Sequence, residues 1–216
     1  MIPWVQLDTA KVAGGGEFRL MQRGQEFTIF AGTIGLMSSR QSCSEEAMAK
    51  IAAERIGGRT KARVLIGGLG MGFTLRRCLA DFGADAEIVV AELVPEIAGA
   101  WARGPLAGVH GTSLDDPRLS LRIGDVGAVM ASDKFDAILL DAPCSATGTF
   151  RRHPEVVWHR SISDIAGRAT IQKRFITRSL GWLQKDGVLV YCVCSLEPQE
   201  GEAHLEWLRQ RDDVAL

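Results

Sequence analysis

Arg63-Val64-Leu65-Ile66-Gly67-Gly68-Leu69-Gly70-Met71-Gly72 reads as a short buried strand that empties into a glycine loop, and a helical pattern follows to about Phe82. Glycines let a backbone turn tightly and come close to a ligand. Glu92 lies 20 residues past Gly72, at the end of the next apolar run, Glu87 to Ala91. A carboxylate so placed suits the hydroxyls of a ribose. The spacing Gly68-x-Gly70-x-Gly72 departs from Gly-x-Gly-x-x-Gly, which points to a nucleoside rather than a dinucleotide. Glycines needed only for a tight turn are the alternative to a nucleoside-binding loop.

The same alternation continues outward. Pro95 starts a helix through Arg103, in a first turn that tolerates proline. Leu119 to Ile123 is a third strand and ends in Gly124-Asp125; Phe135 to Leu140 is a fourth. A helix from about Asp164 to Leu183 comes next. Lys185-Asp186-Gly187 then turns into a fifth strand, Val188 to Val193, and Pro198 to Arg211 is a last helix. Strands alternating with helices predict an α/β, Rossmann-like, doubly wound and mainly parallel sheet over 41–216. Ahead of it, residues 4–32 alternate imperfectly around Trp4, Val5, Leu7, Phe18, Leu20, Met21, Phe27, Ile29 and Phe30. They predict two or three antiparallel strands, a small N-terminal β hairpin region over 1–40. Ser42-x-x-Glu45 resembles a capping box, with Ala47, Met48, Ile51, Ala52 and Ile56 at helical spacing and Gly57-Gly58 as the stop.

A chain of 216 residues, 46% hydrophobic, holds one such domain with a small appendage. A net charge of -1 gives no global attraction to nucleic acid. Residues 151–178 nevertheless carry seven Lys/Arg against two acids, a basic stretch that is either a solvated helix face or a phosphate-binding one. Met1 to Ala10 lacks the pattern of a signal peptide, and no apolar run reaches membrane-spanning length. Five cysteines without repeated spacing predict reduced thiols in a cytoplasmic protein. Cys192-x-Cys194 is too close and too isolated for a zinc site, so no metal is expected. The sequence stops soon after the last helix, at Asp212 to Leu216. An incomplete sheet edge is therefore expected, which a second copy would cover; the N-terminal β region is the other route to a homodimer.

Chemistry concentrates where strands end, as ligand binding does in open α/β sheets. Asp141-Ala142-Pro143-Cys144-Ser145-Ala146-Thr147-Gly148 follows the fourth strand, and Cys192 and Cys194 close the fifth. Cys144 and Cys194 are expected to face one pocket. Cys43, Cys78 and Cys192 read as small buried hydrophobes. Trp158, Trp182 and Trp207 read as core or docking residues.

Two resemblances add to this. Residues 1 to about 140 resemble the spermidine-synthase-like branch of class I S-adenosylmethionine enzymes, on Val64 to Gly72, Val90-Ala91-Glu92-Leu93, Gly124-Asp125 and Leu36-Met37-Ser38-Ser39-Arg40. The resemblance implies that Gly67, Gly68, Gly70 and Gly72 wrap S-adenosylmethionine, Glu92 binds its ribose and Asp125 lies beside the adenine. Where those enzymes carry a further acid for an amine substrate, this chain has Pro143-Cys144-Ser145. Residues from about 135 to 210 resemble the ribosomal RNA cytosine-5 methyltransferases of the Sun/Fmu type. The carriers are Asp141 to Gly148, Arg151-Arg152-His153-Pro154-Glu155 and Tyr191-Cys192-Val193-Cys194-Ser195-Leu196-Glu197-Pro198-Gln199-Glu200-Gly201-Glu202.

That second resemblance implies specific roles. Carbon 5 of cytosine is a poor nucleophile until a thiolate adds at carbon 6. Cys194 would be that thiolate, Asp141 would hold or protonate the ring nitrogen, and Cys144 would help break down the adduct. Pro143 would shape the wall facing the base. Arg151, Arg152 and His153 would hold phosphates of an RNA, which the resemblance makes ribosomal. The two resemblances meet near Lys134 to Asp141, which leaves a natural fusion and a made chimera both open. Cytosine-5 methylation is the leading activity, with aminopropyl transfer and a non-catalytic cofactor-binding scaffold as alternatives.

Overall fold

The computed structural model describes residues 2–12, 16–32, 34–56, 58–130, 132–151, 154–159 and 161–216. The chain forms two compact units, Met1–Leu139 with Trp182–Val190, and Leu140–Gly181 with Tyr191–Leu216.

The first unit begins with a four-stranded antiparallel meander of β1 (Val5–Lys11), β2 (Glu17–Arg23), β3 (Glu26–Ala31) and β4 (Ile34–Ser38). Two or three strands were expected here. The fourth was hidden because Gly35 and Ser38 flank its apolar residues; pairing with β3, such as Ile29 with Met37, supplies the strand that composition does not announce. Helix α1 (Cys43–Ile56) buries Met48, Ala49, Ala52 and Ile56. At its start the Ser42 hydroxyl donates to the Glu46 carboxylate at 2.9 Å, a side-chain pair one residue past the Glu45 of the capping box read in the sequence.

The main sheet runs in the order β7-β6-β5-β8-β9. Its strands are β5 (Arg63–Gly67), β6 (Glu87–Glu92), β7 (Leu119–Ile123), β8 (Phe135–Asp141) and β9 (Leu183–Cys192). β5, β6, β7 and β8 pair in parallel, with β5 between β6 and β8. A central parallel strand is covered on both faces, so it reads as a continuous apolar run. Ile88-Val89-Val90-Ala91 in β6 is such a run and is wholly buried. Leu65, Val89, Ala91, Met130, Phe135 and Ile138 form a core cluster, against which Trp182, Leu183 and Leu189 pack. Helix α2 (Phe73–Asp81) follows the glycine loop, a π-helical turn spans Ile97–Trp101, and short helices α3 (Ala107–His110) and α4 (Val126–Val129) come after. The architecture is Rossmann-like, as the alternation of elements predicts.

The turn read at Lys185-Asp186-Gly187 is absorbed into β9; its trace is Asp186 at φ +58°. The second unit holds the C-terminal ends of β8 and β9, helix α5 (Ile162–Trp182) up to Gly181, and helix α6 (Glu202–Arg209). Among the described residues no helix is long and apolar enough to cross a membrane.

Candidate functional site

The glycine loop belongs to the first unit. Gly68, Gly70 and Gly72 take φ of +100°, +55° and +81°. A Cβ on Gly68 would meet nothing within 4 Å, so the backbone there faces open space. At Gly70 a Cβ would press on the Met37 side chain, whose sulfur accepts the Met71 N–H at 3.1 Å. Gly72 caps α2 in a left-handed conformation, and a Cβ there would sit 2.7 Å from the Cβ of His110. Gly72→Ala combines left-handed strain with overpacking and is expected to destabilise the fold by about 2–4 kcal/mol. The urea unfolding midpoint measures it; a midpoint equal to the parent's would contradict the strain.

Glu92 ends β6 and is 5% exposed. One carboxylate oxygen accepts the Leu69 N–H of the glycine loop at 2.8 Å, and the other accepts the Val94 N–H at 2.8 Å. Its backbone carbonyl accepts from Gly124 at 2.8 Å. Glu92 therefore gathers the loop, its own strand end and the turn after β7. A carboxylate has about four lone-pair directions. Two N–H donors leave capacity for hydroxyls of a ligand. Asp125, next to Gly124, is exposed and caps α4 by accepting the Ala128 N–H at 3.2 Å. Gly67 closes β5 at the base of the loop. The residues read as nucleoside-binding thus converge, and they fit a nucleoside: an open glycine backbone beside a carboxylate with spare acceptor capacity.

The thiols belong to the second unit. Cys144 is half-buried and Cys194 exposed, and their sulfurs lie 3.3 Å apart with either able to donate. Main-chain bonds register the two loops: Ala142 N–H donates to the Cys192 carbonyl at 2.9 Å and Gly148 N–H to the Cys194 carbonyl at 3.0 Å. Only glycine fits at 148, since a Cβ would fall 2.9 Å from that carbonyl oxygen. The pair shares protons. The Cys194 thiol, donating to Cys144, brings the Cys144 thiol down to about 7 against the opposition of burial, helped by the N–H groups of Ala146 and Cys194. The Cys194 thiol is held up, first by the Cys144 sulfur beside it, then by burial and the charge of Asp141. These values belong to the pair: its first proton leaves readily because the remaining S–H stabilises the thiolate, and its second leaves with difficulty. A sulfur nucleophile near neutral pH results.

Beneath the thiols lies a buried polar cluster. Ser145, Gln172 and Glu200 are each 0% exposed. The Glu200 carboxylate accepts from Ser145 N–H at 2.9 Å, from the Ser145 hydroxyl, from the Ser195 hydroxyl at 2.5 Å and from Gln172 at 2.8 Å. Burial pushes its pKa up, but these hydrogen bonds outweigh burial and hold it below the usual carboxylate range. Gln172 also donates to the Pro143 carbonyl at 3.0 Å and lies 3.1 Å from His204, whose pKa burial lowers.

Of the other residues read from the sequence, Asp141 ends β8 and is exposed, as is Pro143. Arg151 is exposed on the loop beyond Thr149. Arg152 and His153 lie outside the described residues. Cys43 is exposed, not buried, because it opens α1; Cys78 is buried and Cys192 half-buried. Trp182 is partly buried, whereas Trp158 on a short 3-10 turn is 86% exposed. Among the described residues no three metal-ligating side chains cluster. Glu200, Ser145, Ser195 and Gln172 were not singled out. One signal existed: Gln172 sits at helical spacing with buried Ile176 and Ser179 on α5, and a polar residue on a buried stripe needs a partner.

Residues 118–216 match the family model for the 16S rRNA methyltransferase RsmB/F. Ribosomal RNA small subunit methyltransferase B of Yersinia enterocolitica is 48% identical over 38% of this chain and 19% of its own length. The same enzyme of Yersinia pseudotuberculosis is 38% identical over 51% of this chain and 30% of its own. The chain thus spans less than a third of the curated relatives it matches. NSun6 from Pyrococcus horikoshii with SFG superposes with a TM-score of 0.61 at 22% identity, over 79% of this chain and 41% of that one. A spermidine synthase in complex with the transition-state analogue AdoDATO gives 0.62 at 18% identity, over 92% and 59%. The chain therefore joins a C-terminal segment similar in sequence to the RsmB/F methyltransferases to a fold shared with NSun6 and spermidine synthase.

Proposed function

We propose that this chain is an S-adenosylmethionine-dependent methyltransferase acting on carbon 5 of a cytosine in ribosomal RNA, with Cys194 as its nucleophile. The observation that carries the reading is the thiol pair, sulfurs 3.3 Å apart at the ends of β8 and β9. Such a reaction needs one thiol that bonds to the base and a second group that helps it leave. S-adenosylmethionine would rest on Gly67, Gly68, Gly70 and Gly72, with ribose hydroxyls donating to Glu92 and the adenine beside Asp125. When bound, it supplies an electrophilic methyl group.

The chain's residues do the rest. Cys194 passes its proton to the Cys144 thiolate of the resting pair and adds to carbon 6, and the displaced electron pair makes carbon 5 enamine-like. Asp141 delivers a proton to the ring nitrogen on which negative charge develops. After methylation, water takes the carbon-5 proton and Cys194 departs with the C–S electron pair, which restores the ring. The Cys144 S–H formed in the first step then donates across the same 3.3 Å contact to the departing sulfur, the reverse of the resting direction. Arg151, with Arg152 and His153, would hold RNA phosphates.

The test uses labelled S-adenosylmethionine and ribosomal RNA with the parent and Cys144→Ala. The parent should transfer label. Cys144→Ala should accumulate a covalent RNA adduct that is missing from Cys144→Ala/Cys194→Ala. Cofactor binding with neither label transfer nor adduct would sink the reading.

A further inference from the structure

Cys144-Ser145 and Cys194-Ser195 are two Cys-Ser dipeptides fifty residues apart in sequence. Both serines converge on a single buried carboxylate. Ser145 reaches Glu200 through its N–H and its hydroxyl, and Ser195 through its hydroxyl at 2.5 Å. The two hydroxyls also lie 2.9 Å from each other. Thr147 extends the tie: its hydroxyl lies 3.3 Å from that of Ser195 and accepts the Leu196 N–H at 3.0 Å. Gln172 braces the far side of the carboxylate, and Tyr191 donates its hydroxyl to the Glu200 carbonyl at 2.8 Å.

We propose that Glu200 is a positioning residue that clamps the two Cys-Ser dipeptides together and so sets the spacing and the shared proton of the thiol pair. Each cysteine immediately precedes an anchored serine, so the carboxylate fixes both backbones one residue from the sulfurs. A buried carboxylate with four donors has little freedom, because each lost donor leaves charge uncompensated. A fully satisfied buried network rigidifies what it holds. Glu200 touches neither sulfur among the hydrogen bonds of the cluster, so it acts through the serines. Its charge opposes ionisation of Cys144, which separates its electrostatic influence from its clamping influence. The proposal rests on the thiol pair being the working centre of the methyltransferase reading, but its test needs neither RNA nor cofactor.

The readout is the pH profile of thiol alkylation by iodoacetamide, followed by mass spectrometry at Cys144 and Cys194 in the intact chain. The titratable groups around the pair are Asp141, Tyr191, Cys192 and Glu200, with His204 and Lys173 behind Glu200. In the parent the rate should rise through about pH 7, the value of the pair's first ionisation. Glu200→Gln keeps the shape: its oxygen takes Ser145 N–H and Gln172, and its amide donates to the two hydroxyls. With the clamp kept and the charge removed, the midpoint should stay near 7 or fall. Glu200→Ala removes the clamp and should move the midpoint up toward the 9.0 of an isolated thiol. Ser195→Ala, which deletes one anchor on a half-buried loop, should move it up as well and serves if Glu200→Ala does not fold. An unchanged midpoint in folded Glu200→Ala, or in Ser195→Ala, overturns the clamp. An upward shift in Glu200→Gln equal to that of the alanine variant does so too. A parent that alkylates as expected yet never methylates RNA would refute the proposed function and leave the clamp standing.

Discussion

Cys194→Ser is expected to lower kcat for RNA methylation by at least about a thousandfold, ~4 kcal/mol of transition-state stabilisation. A serine hydroxyl in this position has no thiolate to offer, and its proton stays on at any pH the fold tolerates. The change should leave the fold intact. Cys194 is exposed, and the bond that registers its loop runs from Gly148 N–H to its main-chain carbonyl, which serine retains. Unfolding midpoint and cofactor affinity should therefore match the parent while turnover collapses. The pH dependence has a definite sign. The pair loses its first proton at about 7 rather than 9.0, at Cys144 with Cys194 donating, and that thiolate takes the Cys194 proton as Cys194 adds, so the reactive form is present above that value and lost below it. Parent kcat/KM should climb from pH 6 to pH 8 and not wait for pH 9. Retention of more than a tenth of parental turnover in Cys194→Ser would remove it as nucleophile. If Cys144→Ser were inactive and formed no adduct while Cys194→Ser trapped one, the two thiols would exchange roles.

What the sequence disclosed follows from the range of the interactions involved. Buried parallel strands such as Ile88-Val89-Val90-Ala91 announce themselves, because burial on both faces demands an unbroken apolar run. The glycine loop was legible for the same local reason: three left-handed residues in five admit few other side chains. The β4 strand was not, since Gly35 weakens its local signal and its pairing with β3 supplies what its composition lacks. Asp186 misled because a residue at φ +58° reads as a turn even where the strand continues through it. The thiol pair was visible only through its flanking motif; nothing local to Cys144 states that Cys194 lies 3.3 Å away. Glu200 was the deepest omission. Two residues past Pro198, it looks like an ordinary helix-start acid on the surface, yet it is wholly buried and its main partner, Ser145, is 55 residues distant. An acid becomes a buried hub only through contacts that composition does not carry.

Glu92→Gln is expected to destabilise the ligand-free fold and weaken S-adenosylmethionine binding together. If Glu92 served only ribose hydroxyls, its replacement would change binding and leave unfolding untouched. The geometry argues otherwise. Each carboxylate oxygen accepts one buried backbone N–H, from Leu69 and from Val94, both at 2.8 Å. Glutamine has a single oxygen, so whichever way its amide turns, an NH2 faces an N–H and one buried donor loses its acceptor. Leaving such a donor unsatisfied costs about 1–3 kcal/mol. The loosened partner is either Leu69, in the glycine loop itself, or Val94, which holds the end of β6. The loop would then sample conformations in which Gly68 no longer presents its open backbone. Affinity for S-adenosylmethionine should drop roughly ten- to a hundredfold, the ~1.4–2.8 kcal/mol of one or two charge-assisted hydrogen bonds. Urea unfolding without ligand and calorimetric titration with S-adenosylmethionine read the two effects separately. A glutamine variant as stable as the parent would show that the carboxylate does not brace the loop. Unchanged affinity would show that the ribose does not meet Glu92. Glu92→Asp tests reach from the other side: it keeps the charge but shortens the arm by one methylene, so it cannot span Leu69 and Val94 at once. It should fall with Glu92→Gln rather than with the parent, because here position matters as much as charge.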